Sequence, residues 1–108
     1  MEYQLKGPYL IVKIGKELDH HQAQLIYQGI HQIQRDRGFK NLVFDFKETE
    51  FMDSSGVGMI ISRYKELSLL GGRVNVSGTS TMINKLFYVS GLHKIIKMYP
   101  ELEDVFYE

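Results

Sequence analysis

Apolar residues along this chain alternate between short runs of period two and longer stretches of period three to four, the pattern of strands interleaved with helices. Residues 3–5 and 9–14 are β-type runs broken by Gly7-Pro8. In the second, Leu10, Val12 and Ile14 alternate with Tyr9, Ile11 and Lys13, so the two runs are expected to form one antiparallel pair. Asp19 is placed to cap a helix whose apolar positions Ala23, Ile26, Ile30 and Ile33 recur every three or four residues, with Gly38 marking its end. Residues 42–46 are almost continuously apolar, which predicts a central strand covered on both faces.

The second half repeats the alternation. Val57, Ile60, Ile61, Tyr64 and Leu67 predict a helix ending near Leu69-Leu70-Gly71-Gly72, followed by a strand over 73–77 with Val74 and Val76 on one face. Thr79 or Ser80 is expected to cap a helix carrying Ile83, Leu86 and Phe87, stopped by Ser90-Gly91. Tyr64, Phe87 and Tyr88 are expected in the core or at its edge. Residues 95–98 read as a last strand, and Pro100 as the first turn of a terminal helix bearing Leu102, Val105 and Phe106. With no repeat or linker, the expectation is one α/β domain over residues 1–108, built with parallel crossovers.

Composition narrows the chemistry. The 108 residues carry thirteen basic and thirteen acidic side chains, a balance that does not favour a polyanion, so no direct nucleic-acid partner is expected. There is no cysteine, and the adjacent His20 and His21 point about a quarter-turn apart on a helix, so neither thiol chemistry nor a metal site is expected. No apolar run approaches a bilayer span and the first residues lack a signal-peptide pattern, so a cytoplasmic protein without membrane insertion is expected.

The candidate chemistry lies in Phe51-Met52-Asp53-Ser54-Ser55-Gly56-Val57-Gly58, where an acid, two hydroxyls and two glycines fall at a predicted helix start. The unpaired N–H groups and partial positive charge of a helix start favour a phosphate, which makes Ser54 a candidate switch residue. Ordinary capping accounts for Asp53 and the serines but not for two glycines, whose missing side chains allow close approach of a ligand or backbone. The glycine spacing fits neither a nucleophile elbow nor a complete dinucleotide or phosphate-binding loop, so no catalytic residue and no cofactor are expected.

The same segment resembles the phosphorylation motif of STAS domains, and within them of bacterial anti-sigma factor antagonists. Glu17-Leu18-Asp19-His20-His21 and Ser90-Gly91-Leu92-His93-Lys94-Ile95-Ile96 resemble, more narrowly, the sporulation type that opposes the anti-sigma-F factor. One departure is Lys16, which stands where such proteins carry glycine and bears on the turn before Asp19. The resemblance implies a mixed sheet of about five strands with about four α-helices. It also implies that Ser54, ahead of Ser55, is phosphorylated by an anti-sigma factor that is itself a serine kinase, and that a serine phosphatase reverses this. Asp19, His20, Asp53, Ser54, Ser55, Gly56 and Gly58 would form the partner-binding face, and the protein would be a substrate rather than an enzyme. The alternatives are a general-stress antagonist with a different anti-sigma partner and, on Gly56 and Gly58, a weak nucleotide-binding domain.

Overall fold

The structure, a computed structural model, describes residues 1–107; Glu108, the end of the expected domain, lies outside them. Strand β1 (Glu2–Lys6) pairs antiparallel with β2 (Tyr9–Lys13), Glu2 opposite Lys13 and Lys6 opposite Tyr9. A two-residue strand β3 (Glu17–Leu18) leads into helix α1 (His20–Asp36). Then β4 (Asn41–Asp45), the two-residue β5 (Phe51–Met52) and α2 (Ser54–Leu69) repeat that order. After β6 (Arg73–Ser77) and α3 (Thr81–Ser90), a 3-10 turn at Leu92–Lys94 precedes β7 (Lys97–Tyr99) and a 3-10 helix at Leu102–Tyr107.

Five strands form one mixed sheet in the order β1-β2-β4-β6-β7, with only the β1–β2 pair antiparallel. The expected central strand is therefore β4. Its alternate residues serve two cores: Leu42 and Phe44 face the three α-helices, while Val43 packs with Ile11 and Val105 on the other side. Burying a side chain of that size stabilises by about 1.5–3 kcal/mol relative to leaving it in water, which is why β4 lacks the usual polar alternation. On the helical side, Ala23, Ile26, Ile30 and Ile33 of α1 meet Met59, Ile60 and Leu67 of α2 and Ile83 and Phe87 of α3.

The C-terminal region departs from expectation in three ways. The last strand is Lys97–Tyr99, so Ile95 and Ile96 precede it; Ile96 fills the core from a turn closed by its N–H donating to the Leu92 carbonyl at 2.8 Å. The fourth helical segment is wound as 3-10 helix rather than α-helix, with Pro100 in the bend before it. That tight segment lays Val105 and Phe106 over the face the α-helices leave open, Phe106 meeting Tyr9 edge-on at 5.0 Å. Tyr88 is exposed and lies against the His93 ring, not at the core edge, whereas Phe87 is fully buried.

Candidate functional site

The two shortest strands build the site. β3 and β5 pair in parallel, Glu17 opposite Phe51 and Leu18 opposite Met52, and the Asp53 N–H continues the ladder by donating to the Leu18 carbonyl at 3.3 Å. Each strand is followed by an aspartate and then by a helix. The first turns of α1 and α2 consequently start side by side from one frame, although they are distant in sequence.

Both aspartates are caps with nearly the same backbone, φ −91° and ψ −175° at Asp19, φ −105° and ψ −174° at Asp53. Asp19 accepts from the Gln22 N–H at 2.9 Å, and one Asp53 oxygen accepts from the N–H groups of Ser55 at 2.9 Å and Gly56 at 3.4 Å. This alters the expectation of an open anion site at the α2 start. Asp53 already occupies two of its donors and supplies the negative charge that the helix end favours. The ground for a nucleotide phosphate cradled there is thereby weakened.

Ser54, the first residue of α2, is exposed, and among the described residues no side chain bonds its hydroxyl. His20, the first residue of α1, is exposed too, and its Nδ1 lies 3.3 Å from the Ser55 oxygen. With Nδ1 unprotonated the Ser55 hydroxyl donates to the ring, and with Nδ1 protonated the ring donates to Ser55. Ser55 is half-buried, on a groove shared with Ala23, Gln24 and Tyr27 of α1. Asp19, His20, Asp53, Ser54 and Ser55 are thus brought together.

The two glycines are not equivalent. Gly56 is turned inward, where a Cβ would sit 2.6 Å from Met52 Cγ and 3.0 Å from two Leu18 carbons. Its missing side chain lets α2 press onto the β3–β5 ladder, which is an internal packing role and not an exposed contact surface. Gly58 is exposed and open, with no atom within 4 Å of where its Cβ would be. Lys16 takes an ordinary backbone, since no non-glycine residue among those described has positive φ, and its carbonyl accepts from Glu50 and Phe51. Glycine is not required at that turn.

One feature of the surface escaped the motif reading. From His20 to Gln34, α1 contains no Asp, Glu, Lys or Arg, and α2 has none before Arg63. Arg63 is itself buried between the helices: it lies over the Tyr27 ring at 4.2 Å, donates to His31 Nε2 at 2.9 Å and pairs with Glu66 at 2.9 Å. The helical surface around Ser54 therefore displays no fixed charge apart from the two capping carboxylates.

Comparison with known proteins bears on the fold as a whole. A family model described as the STAS domain matches residues 1–105. A protein of Paenibacillus polymyxa named anti-sigma F factor antagonist is 36% identical over 90 residues, 83% of this chain and 77% of that one. The solved structure of the anti-sigma factor antagonist SpoIIAA in its unphosphorylated form has a TM-score of 0.84 at 28% identity, over 96% of this chain and 91% of that chain. The structure of the Bacillus cell fate determinant SpoIIAA in its phosphorylated form has a TM-score of 0.76 at the same identity, over 96% and 95%. No helix among the described residues is long and apolar enough to cross a membrane.

Proposed function

This chain belongs to the STAS domain family and groups within it with the anti-sigma factor antagonists, and from that premise we propose that a phosphate on Ser54 decides whether it binds its anti-sigma factor. Unphosphorylated, it engages an anti-sigma factor that is also a serine kinase and frees the sigma factor. That kinase modifies Ser54 with ATP, and a serine phosphatase restores the hydroxyl. On this reading the protein works in the cytoplasm, as a substrate of enzymes. The 36% identity to an anti-sigma F factor antagonist supports the sporulation type over a general-stress type.

The observation that carries the reading is an exposed hydroxyl at the start of α2, on helical surface whose only fixed charges are the two capping carboxylates. Phosphorylation would add about 1.5–2 negative charges there. Because Asp53 already takes the Ser55 and Gly56 N–H groups, the phosphate gains few donors from its own domain and is repelled by the cap. It stands in solvent, and covering it with a partner shaped for a small hydroxyl carries a desolvation cost. A loss of about 2–3 kcal/mol weakens binding roughly 30- to 150-fold, enough to switch partners when cellular concentrations lie between the two dissociation constants.

The test is incubation with the anti-sigma factor kinase and Mg·ATP, mass-spectrometric mapping of the phosphate, and calorimetric titration of both forms against the kinase. Modification at Ser54 with a large drop in affinity is the expected result. Equal affinities of the two forms would overturn the reading. The thermal midpoint of the phosphorylated protein is expected within a few degrees of the unmodified one, since no cap or core contact is displaced.

A further inference from the structure

Two adjacent hydroxyls occupy the first turn of α2, and the switch reading needs only one of them modified. We propose that His20 is a positioning residue that reserves Ser54 as the phosphate acceptor by holding the Ser55 hydroxyl against α1. The inference rests on the proposed Ser54 switch and adds how the site is chosen.

The geometry separates the serines. Ser54 is exposed and unbonded, whereas Ser55 is half-buried, faces the groove beside Ala23, Gln24 and Tyr27, and lies 3.3 Å from His20 Nδ1. In phosphoryl transfer a serine oxygen forms a bond to the γ-phosphorus of ATP as the bond to ADP breaks, and the hydroxyl proton passes to a base on the kinase. That step needs the oxygen in line with the departing ADP and about 3 Å from the phosphorus, so a half-buried hydroxyl held in the groove of the neighbouring helix is poorly placed to reach it. That placement depends on chain architecture as well as residue type. His20 reaches Ser55 because the β3–β5 register sets the two helix starts abreast.

His20 is exposed and the first residue of its helix, so its replacement leaves the core untouched. The experiment compares the Ser54 and Ser55 shares of phosphate, by mass spectrometry at equal low turnover, in the wild type, His20→Ala and His20→Asn, using the anti-sigma factor kinase and Mg·ATP. Asparagine keeps a hydrogen-bonding atom near the position of Nδ1 but has no imidazole charge. In His20→Ala the Ser55 share is expected to rise about 2- to 10-fold, the ratio equivalent to one hydrogen bond's net contribution. His20→Asn is expected to restore the wild-type preference, which general loosening of the helix start would not do. An unchanged ratio in His20→Ala, or equal ratios in the two variants, overturns the positioning role while leaving the Ser54 switch standing. Absence of phosphate from both serines of the wild type overturns the switch and the inference together.

Discussion

Asp19 and Asp53 perform the same task at equivalent points of one short parallel ladder, each closing the N-terminus of the helix that follows with its own carboxylate. The site residues therefore take their places from hydrogen bonds of the ladder and of the first helical turns.

Replacing either cap with alanine is expected to cost about 0.5–2 kcal/mol, whereas asparagine, which caps equally well, should cost far less. Urea unfolding midpoints of the alanine and asparagine variants at both positions measure this. An asparagine variant as unstable as its alanine counterpart would mean that the carboxylate's charge, and not its capping geometry, supplies the stability.

Gly56 and Gly58 should respond to alanine with opposite signs. Gly56→Ala drives a methyl into Met52 and Leu18, which are themselves buried, and overpacking of this kind costs roughly 1–3 kcal/mol. Gly58→Ala fills open space on an exposed helix face and is expected to stabilise by up to about 1 kcal/mol. Denaturant midpoints of the two variants decide it.

Arg63 and Glu66 are also unequal partners. The Arg63 side chain is only 4% exposed and its Nε has no hydrogen-bond partner among the described residues, while the Glu66 side chain is 44% exposed. Removing Glu66 leaves a buried cation with His31, Ser62 and the Tyr27 ring but without its carboxylate, so Glu66→Ala is expected to cost about 1–3 kcal/mol. Arg63→Met removes the buried charge and leaves Glu66 to water, and should cost less. Unfolding free energies of the two variants establish the order.

Lys13 sits 3.5 Å from Glu2 and 2.5 Å from Glu48. The hydrogen bond from Lys13, then its charge, holds the Glu48 carboxyl below the usual glutamate range; the same bond, then the charge of Glu2, raises the Lys13 ammonium. The Glu48 contribution is present above the ordinary glutamate pKa and is lost as pH falls through the depressed one. The Lys13 contribution is present below the ordinary lysine pKa and is lost as pH rises through the raised one. Thermal midpoints of wild type and Glu48→Gln should differ at neutral pH, converge at both extremes, and draw together with added salt, since both groups are exposed.

Periodicity carried the large elements because their partners are whole faces. The residues Ala23, Ile26, Ile30 and Ile33 define the buried side of α1, and the unbroken apolar run of β4 marks its two covered faces. Elements too short for a period, and ends decided by pairing alone, did not show in the pattern. β3 and β5 are two residues each, too short for any period, yet their register brings His20 to Ser55. Ile95-Ile96 read as strand on composition, but pairing with β6 begins at Lys97 opposite Asn75. Gly56 and Gly58 are indistinguishable in sequence and differ only in what lies behind them. Arg63 would have been visible as a lone charge on an apolar helix face, the one local hint of the cluster it joins.

Because α1 and α2 both depart from the β3–β5 ladder, their far ends at Gly38 and Gly71 are free of any duty to the hydroxyl. Gly72 in the second of these connections packs against the Lys40 carbonyl of the first, so exposed positions beside that contact can drift while the two helix starts, and the proposed phosphate acceptor between them, stay where the ladder sets them.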